Sequence, residues 1–129
     1  MHTFTVRKIE AVEGVQQFLQ LEINGRGQLD VFEESLRGST YEREFAVMLT
    51  YMEYVANNGS LPQTRFRDIT PAKDPVKEYE FKSKHLRIYA CRYPGGKLII
   101  LGGKKSGQKK DITRFRSLKK QYLQTITTK

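Results

Sequence analysis

Three segments set how the rest of the chain is read: Glu78-Tyr79-Glu80-Phe81-Lys82, His85-Leu86-Arg87-Ile88-Tyr89-Ala90-Cys91-Arg92 and Lys97-Leu98-Ile99-Ile100-Leu101. Aromatic and β-branched residues crowd them, and Ser83-Lys84 and Tyr93-Pro94-Gly95-Gly96 are short enough to be hairpin turns. They predict a three-stranded antiparallel meander. In its middle strand Leu86, Ile88 and Ala90 point one way, while Arg87, Tyr89 and Cys91 point the other. The third strand is apolar on both faces, so it belongs at the centre of a sheet or under cover.

Upstream, residues 3–9 and 17–23 read as two strands, the second alternating Leu19, Leu21 and Ile23 against Gln20 and Glu22. They predict an antiparallel hairpin, which Asn24-Gly25-Arg26-Gly27 ends. Leu29, Phe32 and Leu36 share one face of a helix over 28–36. A second helix, over about 40–57, carries Tyr41, Phe45, Met48, Met52 and Val55 as a stripe for burial against a sheet. Residues 60–76 form a polar loop with Pro62, Pro71 and Pro75, holding at most a short extended piece at Arg65-Phe66-Arg67. Downstream, Ile112, Phe115, Leu118 and Tyr122 mark an amphipathic basic helix over 109–124. The predicted fold class is α+β: a hairpin, two helices, the meander and a basic helix, in one domain over 1–129.

The chain has 129 residues, long enough to bury a core of its own, with a net charge of +9. The split of that charge is more informative than its sum. Residues 1–61 carry five Lys/Arg against nine Asp/Glu, and residues 62–129 carry eighteen against five. The second half is built to meet a polyanion. The longest wholly apolar run, Leu98 to Leu101, is far too short to cross a membrane, and Met1-His2-Thr3-Phe4-Thr5 does not open as a secretory signal. No membrane partner is expected. The single cysteine, Cys91, fits a reducing cytoplasm, and with His2 and His85 far apart it gives no metal-ligand spacing. Neither a metal nor another cofactor is expected.

Arg87 and Tyr89, adjacent on one strand face, offer a planar fork for phosphate oxygens and a ring for stacking on a base. The plainer alternative is a solvated or cross-strand-paired face. Gly102-Gly103-Lys104-Lys105-Ser106-Gly107-Gln108-Lys109-Lys110 brings glycines and four lysines to the start of a helix, which suits a polyanion; it is otherwise a soluble turn. The spacing of a nucleotide P-loop is absent. His85 titrates near neutral pH and can act as acid or base, or it is simply a polar residue at a strand end.

The stretch from Lys77 to Leu123, with Lys77-Glu78-Tyr79-Glu80-Phe81, Arg87-Ile88-Tyr89 and Lys104-Lys105-Ser106-Gly107-Gln108-Lys109-Lys110-Asp111-Ile112, resembles the RelE/ParE toxin superfamily, in its HigB-like, phage-derived branch. The hairpin over 1–25 fits least and reads as a local elaboration. The resemblance implies a cytoplasmic type II toxin, a ribosome-dependent mRNA endoribonuclease silenced by a cognate helix-turn-helix antitoxin. It implies a metal-free reaction in which the RNA 2′-hydroxyl attacks the adjacent phosphate. Arg87 would steady that phosphate, and Lys104 and Lys105 would stabilise the transition state or donate a proton. Lys109 and Lys110, with Lys82, Lys84 and Arg114, would grip the RNA backbone. This chain has Gly102 and Gly103 where the branch often carries a histidine, and no tyrosine near Asp111, so proton transfer falls to the lysines, His85 or Tyr89. A non-catalytic RNA- or protein-binding member of the same fold is the alternative. A topoisomerase inhibitor suits the lysine-rich face less well.

Overall fold

Turn chemistry and strand propensity act together along the chain. The computed structural model describes residues 2–127. In chain order the elements are β1 (Phe4–Lys8), β2 (Gln17–Ile23), β3 (Arg26–Gly27), α1 (Gln28–Leu36), α2 (Glu42–Ala56), β4 (Phe66–Asp68), β5 (Glu78–Lys82), β6 (Leu86–Tyr93), β7 (Gly96–Lys104) and α3 (Gln108–Thr127). A single 3-10 turn, Lys105–Gly107, leads into α3. The fold is α+β, with three helices and a mixed sheet of seven strands.

The strands lie in the order β1-β2-β7-β6-β5-β4, with β3 folded back on the end of β2. Neighbours are antiparallel except β2 and β7, which run parallel with Phe18 opposite Lys97. That pairing builds the N-terminal hairpin into the main sheet rather than appending it. Asn24 and Gly25, at φ 51° and 83°, make a tight reversal that returns Arg26 onto Ile23. The sequence reading ended the strand there and missed β3. The doubly apolar strand is β7, at the centre of the sheet between β2 and β6.

α1 and α2 cover one face of the sheet, where Phe18, Phe81, Leu86, Ile88, Ala90 and Ile99 meet Phe32, Phe45, Met48 and Met52. α1 begins without a capping side chain of its own at Gly27; instead Gln20 of β2 reaches over, and its Oε1 accepts the backbone N–H groups of Leu29 and Asp30 at 3.0 and 3.1 Å. That duty explains why Gln20, on the polar side of the predicted alternation, is buried. α3 covers the other face, where Phe115, Leu118 and Tyr122 pack on Tyr89, Cys91, Leu98 and Ile100.

A register shift sits where Tyr89 faces Leu101 and Ala90 faces Ile99, leaving Ile100 as the extra residue of a bulge. Both Ile100 and Leu101 then turn toward α3, and the alternation beyond them is reset. Gly102, opposite Ile88, consequently faces α1, and Gly103, opposite Arg87, faces α3. A Cβ at Gly102 would land in the Phe32 ring, and one at Gly103 on the Asp111 carboxylate. The two glycines are therefore strand residues that admit α1 and α3 to the sheet, a correction to their reading as part of a loop that approaches a polyanion. Gly102→Ala is expected to cost about 1–3 kcal/mol in urea unfolding, because the buried Phe32 ring has nowhere to go. Gly103→Ala should cost less, since the Asp111 side chain can turn away.

Candidate nucleic-acid interface

One end of the sheet gathers the basic residues. The C-terminal ends of β5 and β7, the turn into β6 and the start of α3 meet there, with Lys82, Lys84, His85, Lys104 and Lys105 on the turn and strand ends and Lys109 and Lys110 just beyond. A backbone hydrogen bond from Lys105 N–H to the His85 carbonyl, 2.7 Å long, ties the two chain segments together. Lys84, His85, Lys104, Lys105, Lys109, Lys110 and Arg114 are exposed, and Lys82 is half-buried.

The sheet divides these residues into two groups. On the α2 side, the His85 ring lies 5.3 Å from the Tyr41 ring, and Lys104 Nζ stands 4.9 Å over the same tyrosine. Glu44, from the first turn of α2, reaches across to His85, its Oε1 accepting from Nδ1 at 2.9 Å. On the α3 side, Lys82 lies opposite Arg87. Burial, then the charge of Arg67, with Arg87 and Lys105 adding to it against the opposing pull of Glu80, holds the Lys82 ammonium below its ordinary pKa. A lysine so placed gives up a proton more readily than a free one. The sequence reading gave Lys82 a backbone-gripping role only.

Arg87 is buried, at 5% exposure. Its Nη1 donates to the carbonyls of Ser83 and Leu86 at 2.6 and 2.8 Å, while its buried Nε has no partner. Among the described residues it makes no ion pair. A buried guanidinium without a carboxylate is uncommon, because its charge has been taken from water without compensation. The acids of this region are engaged elsewhere: Glu80 with Arg67 and Gln108, and Glu78 with Arg116 and Lys119. Both glutamates are buried, and the cations around them account for their place in the basic half.

Tyr89 does not line an open surface. It is 0% exposed beneath α3, its ring stacked 5.6 Å from that of Phe115, and its hydroxyl has no hydrogen-bond partner. Burial pushes its phenol pKa well up. Stacking on a base and proton transfer are thus denied to Tyr89, which corrects its reading as a site residue. The strand face it shares with Arg87 is the second core, since the apolar stripe of α3 needs that face for its own burial. Cys91 lies in the same core, its thiol pKa pushed up to about 12 by burial.

Two features escaped the sequence. Glu44 comes from the acidic half, and no local pattern marks a partner 41 residues away. The carboxylate-free burial of Arg87 depends on α3 closing over it. No three His, Cys, Asp or Glu side chains among the described residues are placed to hold a metal ion. No described helix is long and apolar enough to cross a membrane. Grooves of about 390 Å³, beside Arg7 and Asp30, and about 540 Å³, beside Tyr93 and Tyr122, lie away from the basic end.

Tyr89→Phe removes an unsatisfied buried hydroxyl, so thermal melts should show stability unchanged or raised by about 1 kcal/mol. Burial raises the pKa of Glu44, but hydrogen bonds from Ser83 and His85 outweigh it and leave the carboxyl below its ordinary 4.5. Its stabilising effect is whole above that value and is lost as pH falls through the lower folded value. Melts taken from about pH 6 down to about pH 3 should therefore show the parent protein losing more stability than Glu44→Gln. No family model matches the chain, and no curated protein and no solved structure matches it.

Proposed function

We propose that this protein is an RNA-cleaving toxin of the type II class, acting on ribosome-bound mRNA and restrained by a helix-turn-helix antitoxin. The observation that carries the reading is the convergence of His85 and Lys104 on one side of the sheet end, with Lys82, Lys105 and the carboxylate-free Arg87 on the other. The resemblance over Lys77 to Leu123 supplies the reaction class; the placement supplies the roles. The lysines hold the phosphate and offset its developing charge, His85 handles a proton, and Lys109, Lys110 and Arg114 track the RNA backbone. Arg87 acts from below, as a fixed positive charge under the 83–86 turn. Tyr89 has no part in the chemistry.

The burial of Arg87 and Tyr89 favours a second reading, a protein that binds RNA through the same basic end without cutting it. The two readings separate in one experiment. Ribosomes programmed with labelled message are incubated with the protein and with Lys105→Ala. The nuclease reading expects discrete cuts, reduced roughly 100-fold in the variant. Binding that weakens steeply with salt, over message left whole, overturns it in favour of the second. In either case each lysine that touches phosphate should remove about 0.7 from the log–log salt slope on single-stranded RNA.

A further inference from the structure

The acidic half of the chain sends one carboxylate into the basic end, and both its oxygens are occupied. Oε2 of Glu44 accepts from the Ser83 hydroxyl and, at 2.7 Å, from the backbone N–H of His85. Oε1 accepts from His85 Nδ1 at 2.9 Å. The Glu44 side chain is 19% exposed and that of His85 46%, so the carboxylate stands inside and the imidazole at the surface. A carboxylate can only accept, so Nδ1 carries the proton and, in the neutral ring, the lone pair is left on Nε2. Closing the Ser83–Leu86 turn would take only the bonds from Ser83 and from the His85 backbone. The bond to the ring is an addition, and it fixes which nitrogen is basic.

We propose that Glu44 is a positioning residue that holds His85 as its Nδ1–H tautomer, making Nε2 the base in RNA cleavage; this rests on the nuclease reading above. Nε2 takes the proton of a 2′-hydroxyl, the 2′-oxygen forms a bond to the adjacent phosphorus, and the bond from phosphorus to the 5′-oxygen breaks. That oxygen takes a proton from the ammonium of Lys104, which shares Tyr41 with His85. The products are a 2′,3′-cyclic phosphate and a 5′-hydroxyl, and no further reactant enters. The imidazolium formed on the way is stabilised by Glu44 on α2 against the positive charges of Lys84 beside it and of Lys104 and Lys105 at the end of β7.

The test uses the full chain, labelled message on ribosomes, and the variants Glu44→Gln, His85→Gln and Lys105→Ala. Glu44→Gln keeps the shape but not the charge, and should lower kcat about 100-fold with KM within about twofold; His85→Gln should lower it at least as far. Nitrogen-15 NMR of the unsubstituted protein should find His85 protonated at Nδ1 and not at Nε2, and this measurement needs no variant to fold. In Glu44→Gln the two tautomers should mix. An Nε2–H tautomer in the parent protein, or an unchanged kcat in folded Glu44→Gln, overturns the assignment. Cleavage that survives in Glu44→Gln and His85→Gln but is lost in Lys105→Ala removes the pair and leaves the nuclease standing. Message left whole by the parent protein removes both.

Discussion

A central strand with no polar face needs two roofs. β7 is apolar toward both sides, and burying it takes α1 and α2 on one face and α3 on the other. The other constraints follow from that one. The bulge at Ile100 lets two consecutive apolar residues point to the same roof, and Gly102 and Gly103 mark where each roof comes closest to the sheet. The ionic contacts lie where α3 meets the edge of its face, with Lys119 reaching Asp74 and Glu78 at 2.9 Å each. Hydrophobic burial supplies the packing energy, and the buried charges set the register of helix on sheet.

Much of this order was legible in the chain. α1 is found where its Leu29, Phe32 and Leu36 stripe puts it, and α2 lies within its expected span, because each stripe answers a local period. The meander is legible for the same reason, and its turns carry their own chemistry, Gly95 taking the positive φ that a Pro-Gly turn demands. What fails to show is any contact between distant segments. The parallel pairing of β2 with β7 leaves no local mark, and the stripe of α3 announces that it must be buried without saying on what.

The same limit governs the site. Alternation places Arg87 and Tyr89 on one face correctly, yet says nothing of α3 lying across it. An arginine beside a tyrosine reads as an invitation to phosphate and base when the face is open, and as a buried charge beside a core aromatic when it is closed. Lys82, Lys104 and Lys105 come together because the ends of β5 and β7 meet, a consequence of the meander that the sequence does carry. Glu44 is the reverse case. Its sequence neighbourhood marks only a first-turn acid of a helix, and its role emerges from the fold alone.

The parallel join of β2 to β7 has a consequence for how the molecule is made. The N-terminal hairpin and both early helices leave the ribosome before the strand that completes their sheet exists, since Phe18 pairs with Lys97. Contacts so remote in sequence form late and carry a large closure entropy. Glu44 waits in the same way for His85. The acidic half alone is an unfinished layer with an open edge, and the basic end takes shape only once β7 has been laid between the two halves. Assembly of the fold and assembly of the basic surface are thus one event, placed near the end of synthesis.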